Sequence, residues 1–171
     1  MDDSGSVPNL SELARLHYAL VYRYAYRLCG SAEEAEDLTQ QAFLTAHRRL
    51  HQLRDVNSAK AWLCAILRNT FLTRVTSQRA LQMVPLHGFW DPVQEQNAAA
   101  PFDFNELQQV LNELPEEFRA PLILYYFEEF SYRQIAEQLD VPIGTVMSRL
   151  ARAKSHLRRR LEALQSAPAT R

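Results

Sequence analysis

Thr145, Ser148, Arg149, Arg152, Lys154 and Arg159 lie close together near the C-terminal end of the chain. Arg158 and Arg160 stand among them, and no acid occurs between Asp140 and Glu162. Hydroxyls and guanidinium forks in this density do hydrogen-bonding chemistry rather than bond-making chemistry. An arginine can bond bidentately to a guanine or a phosphate, and a short serine permits close approach. Gly144, lacking a Cβ, lets a backbone come nearer still. A reactive centre is not expected, because the five histidines and the acids show no triad, paired-carboxylate or phosphate-loop pattern. Cys29 and Cys64 stand alone, without a CxxC pair or a histidine at ligand spacing, so neither a zinc site nor a disulfide framework is indicated. The chain therefore reads as a non-enzyme with no cofactor. A plainer reading of the basic run, a merely solvated helix face, stands beside this one.

The elements that position these residues are written into Ser131 to Arg160, SYRQIAEQLDVPIGTVMSRLARAKSHLRRR. Ser131 can cap a helix and Gln134, three residues on, can complete a capping box. Ile135, Ala136 and Leu139 form that helix's buried stripe. Asp140-Val141-Pro142 supplies a turn, and proline suits the start of the next helix. On this second helix Val146, Leu150, Ala153, Leu157 and Leu161 recur at spacings of three and four and define an inner face. Thr145, Ser148, Arg149, Arg152, His156 and Arg159 are expected on the outer face, with Lys154, Arg158 and Arg160 on the flanks. The pattern is a helix-turn-helix that grips DNA.

The rest of the chain must carry this device. Its 171 residues, 47% hydrophobic, suffice for one or two small domains. A net charge of −1 does not advertise a nucleic-acid binder, so the role rests on segregation, with acids gathered at Glu33 to Asp37 and Glu113 to Glu129 and bases at the C-terminal end. Neither a signal sequence nor an apolar run of membrane-spanning length is visible, so a cytoplasmic protein without membrane insertion is expected.

An all-α fold follows from the periodicities. A first helix is predicted from Leu10 to Cys29, with Leu13, Leu16, Leu20, Tyr24 and Leu28 on one face and Gly30 as its stop. Ser31 opens a second helix to about Leu50, with Glu34 completing a capping box and Ala35, Leu38, Ala42 and Ala46 as its stripe. Ser58 caps a third, carrying Trp62, Leu63, Ile66 and Leu67 to about Arg79. Pro85, Gly88, Pro92 and Pro101 then break the pattern. Helices resume at Phe104–Leu114 and Pro115–Glu129, where Pro121 should kink the helix or mark its true start. This gives a helical bundle over 8–80, a flexible linker over 81–103 and a four-helix domain over 104–165. Phe89 and Trp90 are odd within a tether and suit packing on a domain or a partner.

Three segments carry a resemblance. LNELPEEFRAPLILYYFEEFSYRQIAEQLDVPIGTVMSRLARAKSHLRRRL, with its GTV-SRL-RA string, is similar to the C-terminal domain of extracytoplasmic-function sigma factors, the promoter-recognition subunits of bacterial RNA polymerase. AEDLTQQAFLTAHRRL and KAWLCAILRNTFL resemble the two central helices of their N-terminal domain. The resemblance covers nearly the whole chain and implies binding to core polymerase and to promoter DNA. In the minus-35 element Ser148, Arg149 and Arg152 would lie nearest to bases, with Thr145, Lys154 and Arg159 nearer to phosphates. Ala151 stands where some relatives carry a larger apolar side chain, which implies a weaker contact with a thymine methyl.

For the second helix the resemblance implies docking on the clamp helices of the largest polymerase subunit through Asp37, Gln40, Gln41, Phe43, Leu44 and His47. Independently, Phe43 and Leu44 fall off the stripe of their helix, as interface residues would. The competing reading is that Phe43 packs under the first helix. At the minus-10 element Arg54, Asn57, Lys60, Asn69 and Arg74 are the matching positions for capturing an opened base. Thr73 stands where an acid is frequent in relatives, and VTSQRA is less basic than their usual Arg-rich tail. It further implies an anti-sigma partner wedged between the domains. Two other readings stand: a helix-turn-helix regulator that acts without being a polymerase subunit, and a helical scaffold that binds only protein.

Overall fold

The computed structural model describes residues 9–82 and 104–166. The chain divides into two compact units, Met1–Pro85 and Leu86–Arg171. No strand occurs among the described residues, so the expected all-α class holds. The predicted linker over 81–103, with Phe89 and Trp90, lies almost wholly outside the described residues.

The first unit holds α1 (Leu10–Cys29), α2 (Ala32–Arg48) and α3 (Ala59–Gln82). Asn9 caps α1 through a full capping box with Glu12, and Gly30 ends it at φ 76° while its N–H donates to Tyr26 O. Such a left-handed stop suits glycine because no Cβ meets the preceding turn. The buried face of α1 is Leu13, Val21, Tyr24, Ala25 and Leu28, whereas Leu16, assigned to it from spacing, is exposed. Leu16 lies about 60° around the helix from Leu13, on the side away from Val21 and Ala25, at about 100° per residue. On α2 the stripe Ala35, Leu38, Ala42 and Ala46 is buried as expected. Small alanines there allow close approach to α1 and α3, both of which pack on it.

Two predicted caps are corrected. Ser31 accepts from Glu34 N at 3.4 Å, but only this half of the box forms. Ser58 does not cap α3. It sits in a 3-10 turn, Val56–Ser58, and donates its hydroxyl to Asp55 Oδ2 at 3.2 Å. Asp55 is the capping acid here, a better acceptor than serine because it is charged. The chain also leaves α2 earlier than expected, turning through a 3-10 segment at Leu50–Gln52. Leu53, Ala59 and Leu13 then close one end of the core, with Leu50 and Trp62 against them.

The second unit holds α4 (Phe104–Glu113), α5 (Glu116–Tyr126), α6 (Tyr132–Leu139) and α7 (Ile143–Ser166). Pro115 precedes α5, and Pro121 lies buried inside it, so the helix begins before Pro121 rather than at it. Ser131 and Gln134 form the predicted capping box of α6, at 3.2 Å and 2.9 Å. Asp140 ends α6 at φ 52°, and Val141 N–H donates to Ala136 O at 3.1 Å. Pro142 O then accepts from Thr145 N at 2.9 Å and Val146 N at 3.2 Å, starting α7. The helix-turn-helix is therefore present as read.

Helix α7 packs against α4, α5 and α6. Val146, Leu150, Ala153 and Leu161 are buried, and Leu157 is half-buried. His156, assigned to the outer face, is instead buried. Three neighbours widen the covered arc of α7 beyond a single stripe, and His156 falls at its edge against α4, with Nε2 3.5 Å from Glu113 Oε2.

Candidate nucleic-acid interface

On α7 the side chains of Ser148, Arg152, Lys154 and Arg159 are exposed and Thr145 is half-buried. Ser148 Oγ donates to Thr145 O at 3.0 Å. With its proton directed into its own helix, Ser148 offers lone pairs outward and suits a base-edge donor. Arg149 differs from Arg152. Its side chain is only 23% exposed, and its guanidinium lies 3.5 Å from Glu117 on α5. The structure turns it toward the α5 seam and away from Ser148 and Arg152. Glu117 is a partner that sequence reasoning missed, because nothing local links residues so far apart in the chain.

Arg160 makes a bidentate pair with Glu113 at 2.6 Å and 2.7 Å. The hydrogen bond from Arg160 holds the Glu113 carboxyl below its ordinary range. Burial pushes the His156 imidazole down, and Glu113 partly offsets this. This clasp fixes α4 to α7 and sets the angle of the cationic helix.

In the first unit, the expected set on α2 forms one outward arc opposite the alanine stripe: Asp37, Gln40, Gln41, Leu44 and His47 are all exposed. Leu44 is 56% exposed. Phe43 lies on the flank, half-buried and stacked on Tyr18 of α1 with ring centroids 6.0 Å apart. The two readings of Phe43 thus merge, since Tyr18 is itself exposed.

The five residues expected at the opened strand are not all brought together. Asn69 and Arg74 line an open groove of about 340 Å³ between α2 and α3, with Gln41, Thr45, Arg49 and Thr73. Thr73 Oγ1 donates to Asn69 O at 2.9 Å. Arg74 reaches Asp37 at 3.5 Å, so a residue expected to meet polymerase and one expected to meet DNA share an ion pair. Arg54 and Asn57 lie exposed in the turn before α3. Asp55 Oδ1 accepts from Asn57 N at 3.0 Å and from Asn57 Nδ2 at 3.1 Å, leaving the Asn57 amide oxygen and the second amide N–H to offer outward. Lys60 stands apart, about 180° around α3 from Asn69 at about 100° per residue. It faces His17 of α1, whose imidazole is pushed down by burial and by the Lys60 charge. Asp55 was missed too, although an aspartate two residues before an asparagine is a legible turn signal.

Comparison with known families fits this two-part arrangement. Residues 13–81 match the model of sigma-70 region 2, and residues 104–157 match that of sigma-70 region 4. The chain is 33% identical over 150 residues to the ECF RNA polymerase sigma factor SigM of Mycobacterium tuberculosis, covering 88% of this chain and 76% of that one. The chain belongs to the extracytoplasmic-function group of sigma-70 factors.

Another sigma factor of this group, SigE of Mycolicibacterium smegmatis, is 36% identical over 162 residues. The match takes in 91% of the present chain but spans 63% of SigE. Among solved structures, the sigma factor RpoE of Bartonella quintana, determined in complex with the anti-sigma factor NepR, superposes with a TM-score of 0.74 at 26% identity. That match covers 89% of this sigma factor and 96% of RpoE. Sigma factors are a family of transcription initiation factors, and the present one has the two regions in the family's order. Among the described residues, no helix is long and apolar enough to cross a membrane, and no group of histidine, cysteine and acidic side chains could hold a metal ion.

Proposed function

We propose that this sigma factor binds core RNA polymerase and directs it to a specific set of promoters, performing no chemistry of its own. The observation that carries this reading is the coexistence, in one chain, of an outward polar and apolar arc on α2 and a cationic recognition helix on α7. A free-standing regulator needs the second but has no use for the first. In this reading the arc Asp37, Gln40, Gln41, Leu44 and His47, with Phe43 on its flank, docks on the clamp helices of the largest polymerase subunit. Helix α7 reads the minus-35 element through Ser148 and Arg152, while Arg149, Thr145, Lys154 and Arg159 meet phosphates. Asn69 and Arg74 in the α2–α3 groove, Arg54 and Asn57 in the turn and Lys60 at the head of α3 serve the minus-10 element. Opening that element requires contacts that exist only once a base has left the stack, since unstacking costs a few kcal/mol.

The units are proposed to span 8–80 and 104–165, joined by 81–103, in a cytoplasmic protein. Because RpoE was solved with an anti-sigma factor, we assign this chain an inhibitory protein partner of the same kind.

Gel filtration with core polymerase tests the reading. The wild-type chain should co-elute with core, and Leu44→Asp should elute separately while keeping its helical circular dichroism. Arg152→Ala should co-elute normally. A wild-type chain that stays apart from core yet binds a specific duplex tightly would establish the regulator instead.

A further inference from the structure

The outer face of α7 is split into two ridges. Ser148, Arg152 and Arg159 make the polar one. Ile143, Met147 and Ala151 follow one another at spacings of four and make an apolar one beside it. Ile143 is 46% exposed and Met147 52%, and Ala151 is exposed as well. None of the three serves the core, which α7 builds from Val146, Leu150, Ala153 and Leu161. Between the ridges sits Gly144, where an added Cβ would meet nothing within 4 Å. Packing inside the protein therefore does not require a glycine there, although glycine is a poor helix former. Open space and apolar side chains occur together on the first two turns of α7, the part of a recognition helix that enters a major groove.

We infer that Met147, with Ile143 behind it, reads the C5-methyl group of a thymine in the promoter DNA bound by α7; this rests on the reading under Proposed function. The major-groove edge of thymine carries one apolar group, its methyl, and an apolar side chain is the matching surface. Methionine is unbranched and polarizable, so it can settle on a methyl without a fixed pocket. Arg152, Lys154 and Arg159 surround the ridge with positive charge, which favours a polyanion over a protein as the occupant. The contact that Ala151 is too small to make is thus supplied one turn earlier.

The test uses holoenzyme reconstituted from core polymerase and the full chain, on a promoter it initiates from. Each thymine of the upstream element is replaced in turn by deoxyuridine, which keeps O4 and lacks only the methyl. At one position wild-type holoenzyme should lose about fourfold in promoter affinity, the worth of one buried methyl. Met147→Ala should show no further loss at that position, and Met147→Leu should keep most of the discrimination. Equal sensitivity to deoxyuridine in wild type and Met147→Ala at every position overturns the inference, as does a wild type indifferent to all the methyls. Those outcomes leave the sigma reading intact. A wild-type chain that initiates on no promoter overturns that reading and the inference with it.

Discussion

Arg149 and Arg152 are three residues apart and of one residue type, yet the structure separates their surroundings. Arg152 is exposed on the polar ridge, and Arg149 is held by Glu117 across the α5 seam. Arg152→Ala should therefore weaken the cognate upstream element by about 1–3 kcal/mol and relax its specificity. Arg149→Ala should weaken cognate and altered duplexes alike and lower the stability of the second unit by up to about 1 kcal/mol, the usual range of a partly exposed ion pair. Binding titrations on matched and mutated duplexes, with urea melts alongside, check both. The basic cluster was legible because α7 repeats its apolar spacing without interruption. The split between the two arginines was not, since it depends on which turn of α5 packs beside α7. The same holds for His156, which helical spacing assigned outward and the approach of α4 buries.

Elements are held at their ends by short clasps. Asp55 gathers the backbone and side chain of Asn57 and the hydroxyl of Ser58. Asp55→Ala should cost about 1 kcal/mol, as loss of a cap does, and slow promoter opening by freeing Arg54 and Asn57. Chemical denaturation and a stopped-flow measure of opening would read the two effects. In the second unit, Glu113 joins Arg160 and His156 across α4 and α7. Its lowered pKa contributes stability above the ordinary carboxylate range, lost as pH falls through the lowered value. Burial lowers His156 as well, so on acidification the unfolded chain takes up that proton first and stability falls below about pH 6.5. Both signs agree. The second unit should melt at a lower temperature at about pH 5 than at about pH 7.5, and His156→Gln should remove the upper part of that slope. The capping box of α6 and the glycine stop of α1 could be read directly, because such signals are local. Ser58 could not be placed from sequence, because its hydroxyl is drawn to Asp55, the cap of a 3-10 turn ahead of α3 that periodicity does not reveal.

Across the whole molecule, a net charge of −1 conceals a strongly basic helix. Promoter affinity should fall steeply with salt, and Arg159→Ala should reduce the slope of log affinity against log salt concentration by about 1. Two helical units were legible in the sequence because each has its own apolar periodicity and prolines interrupt the stretch between them. What the sequence could not give is the grouping of Asn69 and Arg74 with Gln41 in one groove while Lys60 faces α1. That division follows from how α3 rests on both neighbours. Run-off transcription tests the central claim most directly, with the purified chain, bacterial core polymerase, genomic promoter fragments and an Arg149→Ala/Arg152→Ala variant. Transcripts starting at defined sites with the wild type and vanishing with the variant are predicted; no transcript, alongside tight duplex binding by the free chain, would contradict the account.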